Sequence, residues 1–177
     1  MYVLVADFFK EDVPGGGEIV NDEVLASLSE KDSEKALRIQ SHLVTLPFVE
    51  EHTGSNFIIG NFLNLSPACR RRLQRERYVI YEHDHKYLKT RDPSVFPELL
   101  APREQIVNES FYRNALAVIC QSKMHAEVVV KNTNLKNVVN ASGNPWPEEH
   151  LYIIENHMST PKTSLCGIMD SPNRVKN

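Results

Sequence analysis

Residues 3–9 read Val-Leu-Val-Ala-Asp-Phe-Phe, and the chain then runs into Gly15, Gly16, Gly17 and Glu18. Ile19, Val20, Val24, Leu25 and Leu28 follow at helical spacing, which predicts one apolar face over 18–28. The order is strand, glycine loop, helix. Bare glycine backbone lets a ligand approach, and free N–H groups at a helix start favour an anion such as phosphate. A connection that merely needs positive φ angles is the competing reading.

Short apolar runs keep alternating with helix-like segments downstream. Strands are expected near 2–8, 56–62, 77–82, 115–120 and 136–140, with an edge strand within 36–45. Helices are expected over 47–52, from Ser66 and Pro67 to Arg75, over 104–114, over 123–131 after Ser122, and over 148–156. Ile106, Val107, Phe111 and Tyr112 supply the apolar face of the 104–114 segment. Residues 30–34 read as a solvated loop or helix end, and 86–102, with Pro93, Pro97 and Pro102, as a long irregular loop. Another apolar run begins at 164–169.

Strands separated by helices need crossover connections. The expected fold class is therefore α/β, a Rossmann-like parallel sheet with helices on both faces. Ligands in such sheets sit outside the carboxyl ends of the strands. That rule places 7–17, 61–65, His83, Asp84, His85 and Ser122 on one rim.

Composition narrows the function classes. With 177 residues, a net charge of -3 and 41% apolar residues, the chain suits one domain of useful core size and shows no basic excess for nucleic acid. No apolar run reaches the length of a membrane span, and no signal-peptide pattern opens the chain, so a cytoplasmic protein is expected. Cys69, Cys120 and Cys166 are widely spaced and read as small buried apolar residues.

His83, Asp84 and His85 close a strand. In extended backbone both imidazoles face one side and the carboxylate the other, a pattern that can hydrogen-bond sugar hydroxyls or contribute to a zinc site given a third ligand. No GxSxG elbow, P-loop lysine or HExxH helix is present, and the Gly15–Gly17 loop lacks the third glycine of a dinucleotide fingerprint. The arginines at 70, 71, 72, 75 and 77 read first as a solvated helix face and second as a binding patch.

Val5, Ala6, Asp7, Phe8 and Phe9, with Pro14, Gly15, Gly16, Gly17 and Glu18, resemble the first strand, Gly-Gly loop and helix of group 1 (family four-like) glycosyltransferases of the GT-B fold. Glu82, His83 and Asp84 resemble that family's strand end. Residues 115–122 look like its strand leading into a helix, and 136–145 like the strand and turn before its interdomain linker. The resemblance covers about residues 1–160. It implies an acceptor-side Rossmann-like domain over 1–160, with 161–177 as linker and the start of a second domain.

The same resemblance implies that Gly15, Gly16 and Gly17 face the donor diphosphate and that His83 contacts the donor sugar or transition state. Asp84, His85 and Ser122 would be substrate-binding neighbours. The implied partners are a nucleotide-diphosphate sugar, a glycan or other acceptor, and a donor domain, possibly on a separate chain; no metal or other cofactor is implied. The family's nucleotide pocket and glutamate pair lie in a second domain that is not evident by Asn177, so little or no transfer is expected from the chain alone. A non-catalytic sugar- or phosphate-binding domain is the alternative, and a metal-dependent hydrolase using His83, Asp84 and His85 a further one.

Overall fold

A computed structural model of the chain describes residues 1–13, 15–32, 36–161 and 164. Pro14, most of the segment read as linker, the 164–169 run apart from Ser164, and Cys166 lie outside the described residues. The chain divides into two compact units, Met1–Trp146 and Pro147–Asn177.

In the first unit six strands form one all-parallel sheet: β1 (Tyr2–Ala6), β2 (Ala36–Gln40), β3 (Asn56–Ile59), β4 (Arg77–Glu82), β5 (Ala117–Cys120) and β6 (Val138–Asn140). Their spatial order is β2-β1-β3-β4-β5-β6. The helices of this unit are α1 (Gly16–Asp32), α2 (Leu46–Glu51), α3 (Pro67–Leu73), α4 (Glu109–Asn114) and α5 (Lys123–Thr133). This is the Rossmann-like α/β class that the alternation predicts.

The two-residue period of the strands divides the core cleanly. Val3, Val5, Phe57, Ile59, Tyr78, Ile80, Val118 and Cys120 face α2 to α5, with Val49, Leu73, Phe111 and Val129 packed onto them. Leu4, Ala6, Ile58 and Tyr81 face the other way, against Val20, Val24, Leu25 and Leu28 of α1. Handedness explains the uneven split. Parallel crossovers are right-handed, so the step from β1 to β2 puts α1 on one face, and every later step, which runs the opposite way, puts its helix on the other. Beside α1 an apolar groove of about 600 Å³ remains, lined by Val24, Leu28, Val79, Tyr81, Leu116 and Ile119 among others. Strand order reverses at β1, so the crevice that such sheets offer to ligands opens beyond the ends of β1 and β3.

Several local expectations hold. Ser66 caps α3 by accepting from Cys69 N at 3.1 Å, with Pro67 next, and Ser122 caps α5 by accepting from His125 N at 3.1 Å. Cys69 and Cys120 are buried free thiols.

The expected 104–114 helix is a correction: only Glu109–Asn114 is α-helical. Residues 103–105 form a 3-10 turn, and Val107 N donates to Tyr87 O while Lys89 N donates to Gln105 O, so 105–107 pairs with 87–89 and cannot close helical bonds. Asn108, with φ 56, then turns the chain into α4. The 86–102 loop carries only short 3-10 turns, yet Tyr87, Leu88 and Pro93 are buried, so it is anchored to the core.

In the second unit α6 (Glu148–Met158) has no buried residue; Leu151, Ile154 and Met158 are all at least half exposed.

Candidate functional site

The rim at the carboxyl ends of the strands is built by pairs of residues far apart in sequence. α1 begins at Gly16, beyond the end of β1, and a side chain at Gly17 would bring its Cβ 3.5 Å from Cγ of His83 at the end of β4. The glycine loop and the strand-end histidine therefore meet.

None of the three glycines is needed for a left-handed turn, since positive φ among described glycines occurs only at Gly54 and Gly143. The competing reading of the loop as a positive-φ connection does not hold. Gly16 has nothing within 4 Å on its Cβ side and leaves the helix start open, whereas the Glu18 carboxylate folds back over the space beside Gly15.

His83 is clamped on both ring nitrogens. The Gln121 amide Nε2 donates to Nδ1 at 2.6 Å, so the ring proton sits on Nε2 and is donated to Asn21 Oδ1 at 3.0 Å. Asn21 lies on α1 and is 2% exposed; Gln121 lies between β5 and α5. Burial, with the nearby Lys86 charge second, holds the imidazole down to a pKa of about 4. His83 is thus a neutral, oriented ring at physiological pH, with Tyr81 stacked obliquely at 5.2 Å.

Asp84 and His85 go elsewhere. Asp84 accepts from Lys86 Nζ and from Arg91 Nη1, the latter at 2.9 Å. His85 adopts φ 54, so the alternating geometry expected of an extended segment fails there. Its Nδ1 lies 3.0 Å from the Tyr87 hydroxyl and its ring 4.5 Å from that of His125. Burial, then His125, lowers the His85 pKa to about 4. Ser122 is engaged in capping α5. Among the described residues no three His, Cys, Asp or Glu side chains converge so as to hold a metal, and the His83–Asp84–His85 triplet disperses into three environments.

Beneath these residues lies a buried ionic cluster that sequence patterns do not reveal. Glu82 and Lys86 are fully buried and joined at 2.9 Å. Glu82 also accepts from the Asp84 backbone N–H at 3.1 Å and from the Tyr112 hydroxyl. Burial alone would raise the Glu82 pKa, but the Lys86 ammonium and these donors hold it well below the ordinary carboxylate range. Asp7, also buried, accepts from Ser41 Oγ and from the backbone N–H of Leu63 and Asn64, tying the loops after β1, β2 and β3 together. Two buried polar atoms of the rim, Asn61 Oδ1 just after β3 and His125 Nε2, have no hydrogen-bond partner among the described residues.

Burial also lowers the His125 pKa, and His83 and His85, the two depressed furthest, set an acid response. Their folded pKa of about 4 lies below the unfolded 6.5, so the unfolded state binds more protons between those values and stability falls as pH drops through that window. Urea midpoints measured from pH 7 to 4 are expected to decline. The variant His83→Gln, which keeps a donor and an acceptor but does not titrate, is expected to decline less steeply; an identical slope would show that His83 is not buried neutral.

No protein-family model, curated protein or solved structure matches this chain. Among the described residues no helix is long and apolar enough to cross a membrane.

Proposed function

We propose that this chain is the acceptor-side, N-terminal Rossmann-like domain of a glycosyltransferase that moves a sugar from a nucleotide diphosphate to an acceptor. The observation that carries the reading is the meeting of the open α1 amino end with His83 on the strand-end rim. Amides of the first helical turn favour a diphosphate oxygen, and the open space on the Cβ side of Gly16 lets one approach. The unpartnered Asn61 Oδ1 and His125 Nε2 supply polar atoms that a polyhydroxylated ligand would satisfy.

In this reading His83 acts as a neutral hydrogen-bonding group, exchanging its bond with Gln121 or Asn21 for one to a sugar hydroxyl. Leaving-group charge is stabilised by amides here and by cations of a donor-side domain, so the chain alone gives little or no turnover. A second reading, a sugar- or phosphate-binding domain without turnover, is favoured by the occupation of both His83 nitrogens.

The test is thermal unfolding against a panel of nucleotide sugars, for the chain alone and joined to a donor domain. The joined protein is expected to gain about 2.7 kcal/mol at a ligand concentration 100 times Kd. Gly16→Val and His83→Ala are each expected to diminish that gain, and unchanged responses in both would refute the site. Binding without transfer by the joined protein would select the second reading.

A further inference from the structure

We propose that the recess between α3 and the turn entering α4 binds a single tetrahedral oxyanion, a phosphate or phosphomonoester. It has a volume of about 160 Å³ and is lined by Arg70, Arg71, Gln74, Asn108, Ser110 and Phe111 among others. That volume is well below the roughly 300–1,000 Å³ of sites for drug-sized ligands and suits one small charged group.

Charge is the first argument. Among the described residues Arg38, Arg72, Arg91, Arg103 and Arg113 pair with carboxylates, whereas Arg70, Arg71, Arg75 and Arg77 have none within 4.0 Å, and of these four only Arg70 and Arg71 line the recess. The adjacent carboxylate, Glu109, is already held by both Arg103 and Arg113. Two uncompensated guanidinium groups thus frame one recess in a protein whose net charge is -3.

Preorganisation is the second. Arg70 is half-buried, and its Nη1 donates to Asn108 Oδ1. Asn108 is itself fixed, because its Nδ2 donates to Lys86 O at 2.8 Å and its backbone is left-handed, which asparagine tolerates. The remaining guanidinium N–H groups stay available in a fixed fork suited to an oxyanion. Gln74 is oriented from the other side by Asn114, whose Nδ2 donates to its Oε1 at 2.8 Å. Ser110 adds a hydroxyl. Donors from two helices, the guanidinium groups of Arg70 and Arg71 and the Ser110 hydroxyl, line the recess from different directions, which fits tetrahedral oxygens better than a planar carboxylate. Loss of one charge-assisted contact in such a site should weaken binding roughly tenfold.

This site does not depend on the sugar-transfer reading. The experiment is a 1H–15N NMR titration of the full chain at low ionic strength, first with inorganic phosphate and then with glycerol 3-phosphate. Saturable shifts centred on Arg70, Arg71, Asn108 and Ser110 are expected with both probes. Tighter binding of the monoester would assign the site to an organic phosphate, and equal affinity to free phosphate. Arg71→Gln alters an exposed side chain with no ion pair or side-chain hydrogen bond among the described residues and should fold normally; it and Arg70→Gln are each expected to weaken binding roughly tenfold. Arg75→Gln, outside the recess, should leave it unchanged. Absence of saturation at tens of millimolar, or equal weakening by Arg75→Gln and Arg71→Gln, would overturn the proposal.

Discussion

Replacing Lys86 with methionine is expected to destabilise the fold by about 3–5 kcal/mol, read from urea unfolding at neutral pH. The ammonium is fully buried, bonded to Glu82 at 2.9 Å and to Asp84, and lies 5.8 Å from the centre of the Phe62 ring. Burial alone would lower its pKa, but Glu82 and Asp84 reverse the effect and raise it. Removing it leaves a buried carboxylate without a counter-charge, and Glu82 must then take up a proton or admit water.

The pH response should change sign. In the wild type the folded Glu82 pKa lies below its usual 4.5, so the pair's contribution is full above that value and drains away as pH falls. In Lys86→Met the folded pKa rises above 4.5, and stability should instead be lost as pH increases through the raised value. The double variant Glu82→Gln, Lys86→Met removes both charges and should recover most of the loss. A loss below about 1 kcal/mol in the single variant, within the range of an exposed ion pair, would refute the buried-pair assignment.

Gly60→Ala is the second substitution with a large expected effect, although it adds a single methyl group. Gly60 follows β3, and its N–H donates to Val5 O at 2.9 Å. A Cβ there would fall 2.8 Å from both Cγ and Nδ2 of Asn21, closer than side chains approach. Asn21 cannot swing aside freely, because it is buried and its Oδ1 accepts from His83. Either α1 lifts from the sheet or the clamp on His83 opens. Overpacking of this kind costs about 1–3 kcal/mol.

Imidazole 15N shifts of His83 should report the same event. The wild type is expected to show the Nε2–H tautomer, and the variant a displaced Nε2 signal as its acceptor is lost. Gly16→Ala serves as the contrast. It meets nothing within 4 Å at a helix start and should be neutral or mildly stabilising. Equal effects from the two substitutions would disprove the distinction between an open glycine and one packed against Asn21.

The recurrent strand-helix order was legible because its causes are local. Short continuous apolar runs in β1, β3, β4 and β5 report strands buried on both faces, and Ser66 with Pro67 and Ser122 report helix starts. The parallel sheet follows from the need for crossovers, and the strand-end rim from the sheet. The 104–114 helix was misread for an equally physical reason: residues 105–107 pair with 87–89, a contact that local periodicity does not encode.

At the site, sequence alone placed Gly15, Gly16, Gly17 and His83 on one rim, because chain direction in a parallel sheet dictates which loops share an end. It did not determine what His83 touches. Asn21 lies 62 residues from His83 and Gln121 lies 38, and only the crossovers bring them to its two nitrogens. The tertiary fold likewise sent Asp84 and His85 to separate partners through the left-handed backbone at His85, and it paired Glu82 with Lys86 beneath them. Periodicity and capping act over a few residues, whereas burial, hydrogen-bond partners and the depressed His83 pKa depend on what the completed sheet packs around each group.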